Sequence, residues 1–139
     1  MTNELFLDTS FSIGLVSPRD QIHEKAISWS EKIENLKITI VTTQAVFLEI
    51  GNALSKSAFR QVGIGLLENL ADDPDTTIVS LTDEIYNKAF ELFRSRPDKE
   101  WGLVDCISFV VMRERNIEAA LTADEHYIQA GFRALLREE

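Results

Sequence analysis

A single α/β domain, with a central parallel sheet of about five short strands and helices on both faces, is what this sequence predicts. Three observations predict it. Short β-branched or apolar runs alternate with longer segments of helical periodicity, as in a parallel sheet joined by crossover helices. The three prolines, Pro18, Pro74 and Pro97, fall between the periodic segments and punctuate them. The 139 residues suit one domain with one core, so residues 1–139 are read as a single unit.

Each element follows from local pattern. Glu4–Leu7 is a short apolar strand ending at Asp8, and Thr9–Leu15 leaves it as a short helix or turn. Arg19–Glu34 carries Ile22, Ala26, Trp29 and Ile33 on one stripe and reads as a helix. Lys37–Val41 is β-branched and reads as the second strand. Thr42 and Thr43 offer an N-cap to Gln44–Ser55, where Val46, Phe47, Ile50 and Leu54 recur at helical spacing. Ala58–Leu70 is a further helix, loosened by Gly63 and Gly65. After a turn at Asp72–Asp75 comes the third strand, Thr76–Val79. Thr82 can cap a helix running to about Arg94, with Ile85, Ala89, Leu92 and Phe93 inward. A polar loop, Arg94–Glu100, leads to a helix from Leu103 to Arg115, which Asn116 closes. Ala119–Leu121 is the fourth strand, Asp124–Ala130 a short helix stopped by Gly131, and Phe132–Leu135 the fifth strand.

Composition excludes several classes. Hydrophobic residues make up 45% and charged residues 27%, which fits a globular chain and not a disordered one. No apolar run is long enough to span a bilayer. The opening Met1-Thr-Asn-Glu lacks the basic, apolar character of a signal peptide. The lone cysteine, Cys106, cannot form an internal disulfide and lies in an apolar helix, where it reads as a small core residue. The expectation is a cytoplasmic protein with no membrane partner. The net charge of −9 is an unfavourable field for nucleic acid. It means either a solvated acidic surface or acids whose charge a bound cation offsets.

The positions of particular acids bear on that choice. Leu103–Met112 reads Leu-Val-Asp-Cys-Ile-Ser-Phe-Val-Val-Met, apolar on nearly every helical face apart from Asp105. A lone carboxylate in a buried helix is costly unless paired. Asp105 lies in the opening turn, where the helix dipole alone could account for it. Glu49 flanks the stripe of Val46 and Ala53. Asp8 and Asp124 follow strands, at the edge where open parallel sheets bind ligands, and each could be a simple N-cap. Singly these explanations suffice. Together, four carboxylates without adjacent lysine or arginine in an apolar context call for a common counter-charge. Carboxylates without His or Cys partners suit Mg²⁺ or Mn²⁺. Such a site suits phosphoryl chemistry, since the metal lowers the pKa of bound water and stabilises charge on the attacked phosphate.

At these residues the sequence resembles the PIN-domain family, in its branch of VapC-like ribonuclease toxins. The resemblance rests on Leu7-Asp-Thr-Ser10, Leu48-Glu-Ile-Gly-Asn-Ala-Leu54, Leu103–Met112 and Leu121-Thr-Ala-Asp-Glu-His-Tyr-Ile-Gln-Ala-Gly-Phe132. They occur in the family's order and span nearly the whole chain. The resemblance puts the family's acidic quartet on Asp8, Glu49, Asp105 and Asp124. It puts a supporting hydroxyl on Thr9 and a supporting amide on Asn52. Ser108, three residues beyond Asp105, shares that helix face and joins the supporting group. The resemblance implies a PIN-like nuclease: an endoribonuclease dependent on Mg²⁺ or Mn²⁺ that leaves a 5′-phosphate and a 3′-hydroxyl. It also implies an RNA substrate, an antitoxin protein as partner and a homodimer. The outward faces of Arg19–Glu34 and Ala58–Leu70 are candidate surfaces for those contacts.

Two features depart from the family pattern. Tyr127 stands where many relatives have Phe, which reads as a mild change. The acidity is also unusual: setting the quartet aside leaves 19 acids against 14 bases, still −5. RNA contact then falls to local bases, either Lys56 with Arg60 or Arg94 with Arg96 and Lys99, although such residues are more often ordinary surface charge. His126 reads as a capping or packing residue, because a helical i, i+2 pair with Asp124 does not share a face. Trp29 reads as core; Trp101, in a polar loop, is open between core and base stacking. The main rival to a nuclease is a catalytically silent module of the same fold that binds RNA or protein. A phosphatase or phosphoacceptor domain is disfavoured, since Ser10 stands where its second aspartate belongs.

Overall fold

Five short parallel strands form one sheet: β1 (Glu4–Leu7), β2 (Thr39–Thr43), β3 (Thr76–Val79), β4 (Ala119–Leu121) and β5 (Arg133–Ala134). The computed structural model describes residues 3–139; Met1 and Thr2, the opening of the stretch read as no signal peptide, lie outside the described residues. The helices are α1 (Thr9–Val16), α2 (His23–Leu36), α3 (Gln44–Ala53), α4 (Ser57–Asp72), α5 (Asp83–Ser95), α6 (Leu103–Glu114) and α7 (Glu125–Gln129), with a 3₁₀ turn at Leu135–Arg137.

The sheet order is β3-β2-β1-β4-β5. From β1 the chain steps outward to β2 and β3, then crosses back to lay β4 on the other side of β1. Right-handed crossovers assign helices to opposite faces when the direction of winding reverses. The reversal lies between β1 and β4, so a crevice opens beyond their carboxyl ends. Both strands are central, and Phe6, Leu7, Ala119, Ala120 and Leu121 are all buried.

The apolar run Leu103–Met112 forms most of α6, and Cys106, Ile107, Phe109, Val111 and Met112 are buried in the core. Phe109 meets Trp101 and Tyr127 edge-on, with ring centroids 5.1 and 5.0 Å apart. Trp101 is therefore a core residue, 4% exposed, and its indole N–H donates to Gln129 Oε1. Trp29 is only half-buried against the core, with Lys32 Nζ 4.2 Å above its ring. Among the described residues no helix is long and apolar enough to cross a membrane.

Most element boundaries shift by a residue or two, and three of the differences have a clear local reason. The second helix starts at His23, not Arg19, because Asp20 forms a turn: its Oδ1 accepts the Ile22 N–H at 3.0 Å. Lys37 takes a left-handed conformation with φ 50°, closing α2 and delaying β2 to Thr39. The fifth strand shrinks to Arg133–Ala134 because Leu135 and Leu136 are both buried. A strand would point consecutive side chains to opposite faces; the 3₁₀ turn buries both. The expected caps form, with Thr43 Oγ1 accepting from Val46 N–H and Thr82 Oγ1 from Ile85 N–H.

The two glycines of α4 differ in kind. A Cβ on Gly63 would lie 2.9 Å from the Leu54 Cβ, whereas one on Gly65 meets nothing within 4 Å. Gly65→Ala is expected to raise stability by about 0.5–1 kcal/mol through helix propensity and a less flexible unfolded chain. Gly63→Ala is expected to lower it by about 1–3 kcal/mol, because overpacking outweighs propensity. Urea denaturation of the two variants checks both signs.

Candidate active site

Asp8 leaves the end of β1 at the N-cap position of α1, yet its side chain makes no capping bond. Its carboxylate is instead held by three hydroxyls. Thr122 Oγ1 donates to Oδ2 at 2.7 Å, Ser10 Oγ to the same oxygen at 3.1 Å, and Tyr127 OH to Oδ1 at 3.1 Å. Thr122 follows β4 and Tyr127 belongs to α7, so the contacts exist because β1 and β4 are neighbours. Ser10 also receives the Ala123 N–H, tying the two strand ends together. Asp8 is only 7% exposed.

Asp124 does cap α7: its Oδ1 accepts the His126 N–H at 2.9 Å. Asp105, in the first turn of α6, accepts the Gly102 N–H on Oδ2 at 3.0 Å. The capping and dipole explanations are thus partly true of both, but neither accounts for where the carboxylates face. Both line a cleft of about 730 Å³ that Asp8 and Glu49 also line. Glu49 stands on the exposed side of α3, with Oε1 receiving Thr9 Oγ1 at 2.7 Å. Asn52 lies in the same wall. The quartet, Thr9 and Asn52 are therefore gathered from four separate stretches of chain.

Ser108 is placed differently. It is fully buried behind the cleft, close enough to Tyr127 to act on its hydroxyl but without a well-shaped hydrogen bond. The proposed RNA-contacting bases also divide. Arg94 pairs with Glu91, and Arg96 with Asp98 at 2.9 Å, so both are engaged. Lys56 and Arg60 are exposed at the start of α4, and Lys99 borders a hollow beside His126.

Sequence reasoning missed several residues of the site. Asp20 lines the cleft from the turn that breaks the second helix. Ser10 and Thr122 are ordinary hydroxyls until β1 and β4 are known to adjoin. The Tyr127 hydroxyl, read as a mild departure, is a direct partner of Asp8. Helical i, i+2 spacing argues against His126 as a partner of Asp124, but Asp124 precedes the helix, and the His126 ring lies between Asp105 and Asp124.

Crowded carboxylates raise each other's cost of ionisation. Burial chiefly pushes the Asp105 carboxyl above its ordinary value, aided by the charges of Asp124 and Asp8. Burial also pushes Glu49 up, with Asp8, Asp105 and Asp124 adding to it and the Thr9 hydrogen bond opposing. A raised folded-state value means stability is fully present below the unfolded value and lost as pH rises through the folded one. In chelator-treated protein, wild type is therefore expected to lose thermal stability relative to Asp105→Asn as pH rises from about 4, the ordinary carboxylate value, through the raised value of Asp105. Paired melting curves across that range check it; a constant difference would contradict it.

A divalent cation fits the donor set. One carboxylate oxygen each from Asp105 and Asp124 and a ring nitrogen of His126 lie within 4.8 Å of one another. A doubly wound parallel sheet with four carboxylates gathered at its switch point places the protein in the class of α/β domains that bind ligands at the carboxyl edge of the sheet. Within that class, the chain belongs to the PIN domain family, whose sequence model matches residues 5–133. It is 25% identical over 129 residues to the "23S rRNA-specific endonuclease VapC20" of Mycobacterium tuberculosis, in strains CDC 1551 / Oshkosh and ATCC 25618 / H37Rv. That match covers 92% of this chain and 95% of the relative. The crystal structure of M. tuberculosis VapC20, described as a "Sarcin-Ricin loop cleaving toxin", superposes with a TM-score of 0.80 at 23% identity. It covers 92% of this chain and 95% of that one, and the likeness is one of fold.

Proposed function

We propose that this protein is a metal-dependent endoribonuclease and the toxin of a toxin–antitoxin pair. The observation that carries the reading is the gathering of Asp8, Glu49, Asp105 and Asp124 in one cleft at the sheet's switch point. Likeness to an endonuclease named for 23S rRNA supports RNA as the substrate class.

Asp8, Glu49, Asp105 and Asp124 would hold Mg²⁺ or Mn²⁺. When bound, the cation supplies a nucleophilic water at neutral pH and offsets charge on the phosphate. The chain's own residues prepare this chemistry. Thr122, Ser10 and Tyr127 fix the Asp8 carboxylate by hydrogen bonds to both oxygens. Thr9 orients Glu49, and Asn52 presents an amide on the cleft wall. Ser108 acts from beneath, through its position beside Tyr127. Hydrolysis leaves a 5′-phosphate and a 3′-hydroxyl. Of the bases proposed to contact RNA, Lys56, Arg60 and Lys99 make no ion pair among the described residues and are free to meet phosphates, whereas Arg94 and Arg96 contribute only by leaving Glu91 and Asp98.

An apolar hollow next to the cleft, lined by Ile13, Val16, Pro18, Leu54, Phe59 and Val62, offers a seat for a protein partner. Phe59 and Val62 lie exposed on α4, one of the helices expected to meet an antitoxin or a second copy. The protein is read as cytoplasmic on the strength of its single reduced cysteine, Cys106.

Incubation of structured and single-stranded RNA with the purified protein and Mn²⁺ or Mg²⁺ tests the reading. Cleavage is expected to stop on chelation and to fall by about 10²-fold or more in Asp105→Asn, beyond the ~10–100-fold typical of an outer partner. Cleavage indifferent to chelator, or full activity in the variant, would overturn it.

A further inference from the structure

Resting on the metal-dependent reading above, we propose that His126 is itself a ligand of the cation through Nδ1. The site would then hold one nitrogen donor among its carboxylates and prefer Mn²⁺ to Mg²⁺.

The capping bond to Asp124 is made by the His126 backbone N–H, so the side chain is not needed for it. Nor is the ring a core residue, since 27% of the side chain is exposed and it borders the cleft. The ring's own contacts are with two carboxylates of the cleft, a hydrogen bond to Asp105 and a close approach to Asp124. Nδ1 lies 3.1 Å from Asp105 Oδ2 and 3.3 Å from Asp124 Oδ1, on carboxylates that come from α6 and from the end of β4. Adjacent ligands on an octahedral ion with bonds of about 2.1 Å stand about 3.0 Å apart. The nitrogen thus stands from each oxygen at about the spacing of adjacent ligands, and the three residues each offer a donor atom within 4.8 Å of the others. His126 Nδ1, Asp105 and Asp124 would hold the ion there, with Nδ1 offering its lone pair.

The metal preference follows from the donor. Imidazole suits divalent first-row transition ions, and Mn²⁺, though the weakest binder of that series and at home with oxygen donors, accepts a ring nitrogen more readily than Mg²⁺, which is held by oxygens and keeps its waters. A site of carboxylates alone does not favour Mn²⁺ in this way. If His126 served only to offset the charge of Asp105 and Asp124, its loss would change the binding of both ions alike.

Binding and spectroscopy separate these roles without reference to activity. The intact protein is titrated with Mn²⁺ and with Mg²⁺ by calorimetry, in parallel with His126→Ala and His126→Gln. Pulsed electron paramagnetic resonance of the Mn²⁺ form reads nitrogen coupling directly. The only other histidine, His23, is bonded through Nδ1 to Gly14 O at 2.8 Å and does not border the cleft, so a coupled ring nitrogen would be that of His126. The expected result is ¹⁴N coupling in wild type that disappears in both variants, with Mn²⁺ affinity falling about tenfold and Mg²⁺ affinity changing less than about threefold. Mn²⁺ binding without ¹⁴N coupling, or equal weakening of both ions, would overturn the ligand role while leaving the metal site standing. No binding of either ion would instead overturn the metal-dependent reading beneath it.

Discussion

Asp8→Asn is expected to cut RNA cleavage by about 10²-fold or more while leaving the metal-free fold within about 1 kcal/mol of wild type. Two opposing effects set the second half of that expectation. Asp8 accepts three hydroxyl hydrogen bonds, which weaken when a charged acceptor becomes a neutral amide. Against this, Asp8 is a like charge that raises the cost of ionising Glu49 and Asp105, and the amide removes it. The hydroxyls can adapt: the Tyr127 O–H can turn to accept from an amide N–H, as either role is open to a phenol. The fold therefore has no reason to fail, whereas the cation loses a charged ligand. Single-turnover cleavage and melting curves with and without Mn²⁺ check both parts. The metal-induced rise in melting temperature should shrink or vanish. A variant that keeps its activity, or one that fails to fold without metal, would contradict the role given to Asp8.

Phe109→Ala is expected to cost about 3–5 kcal/mol of stability, a large share of the ~5–15 kcal/mol typical of a domain. Phe109 is fully buried and meets Trp101 and Tyr127 edge-on, with Phe132 tilted against it at 5.6 Å. Removing it takes away both its buried area and these aromatic pairs. The void would open beside Tyr127, whose hydroxyl holds Asp8, so damage to the core should reach the cleft. Urea denaturation is expected to show the loss of stability, and Mn²⁺ affinity should fall with it. A loss below about 1 kcal/mol would mean that the core repacks around the cavity.

Much of the architecture was legible because parallel α/β folding leaves strong local traces. The β-branched and apolar strands, the threonine caps at Thr43 and Thr82 and the apolar length of α6 all follow from residues near each other in the chain. The misplaced boundaries at Arg19, Lys37 and Leu135 involve tertiary or backbone choices. A side-chain turn at Asp20, a left-handed residue at Lys37 and the joint burial of two leucines are not visible in periodicity. The cleft shows the same division. Asp105 was conspicuous because a charge interrupts an apolar helix. Asp20 was not, since an acid near Pro18 looks like any turn residue.

The sequence by itself determined the fold class and the order of elements, and it singled out four acids that the cleft gathers together. These depend on local periodicity and on the cost of burying charge, which each stretch carries with it. Only the tertiary structure decided how the acids are held. The Tyr127 hydroxyl and Thr122 reach Asp8 across more than a hundred residues of chain. The His126 ring enters the cleft because Asp124 stops one residue short of α7, which takes the pair off the helical lattice. The reason is physical. Which groups share a crevice is fixed by the laying of β4 beside β1, and that pairing has no signature in either strand alone.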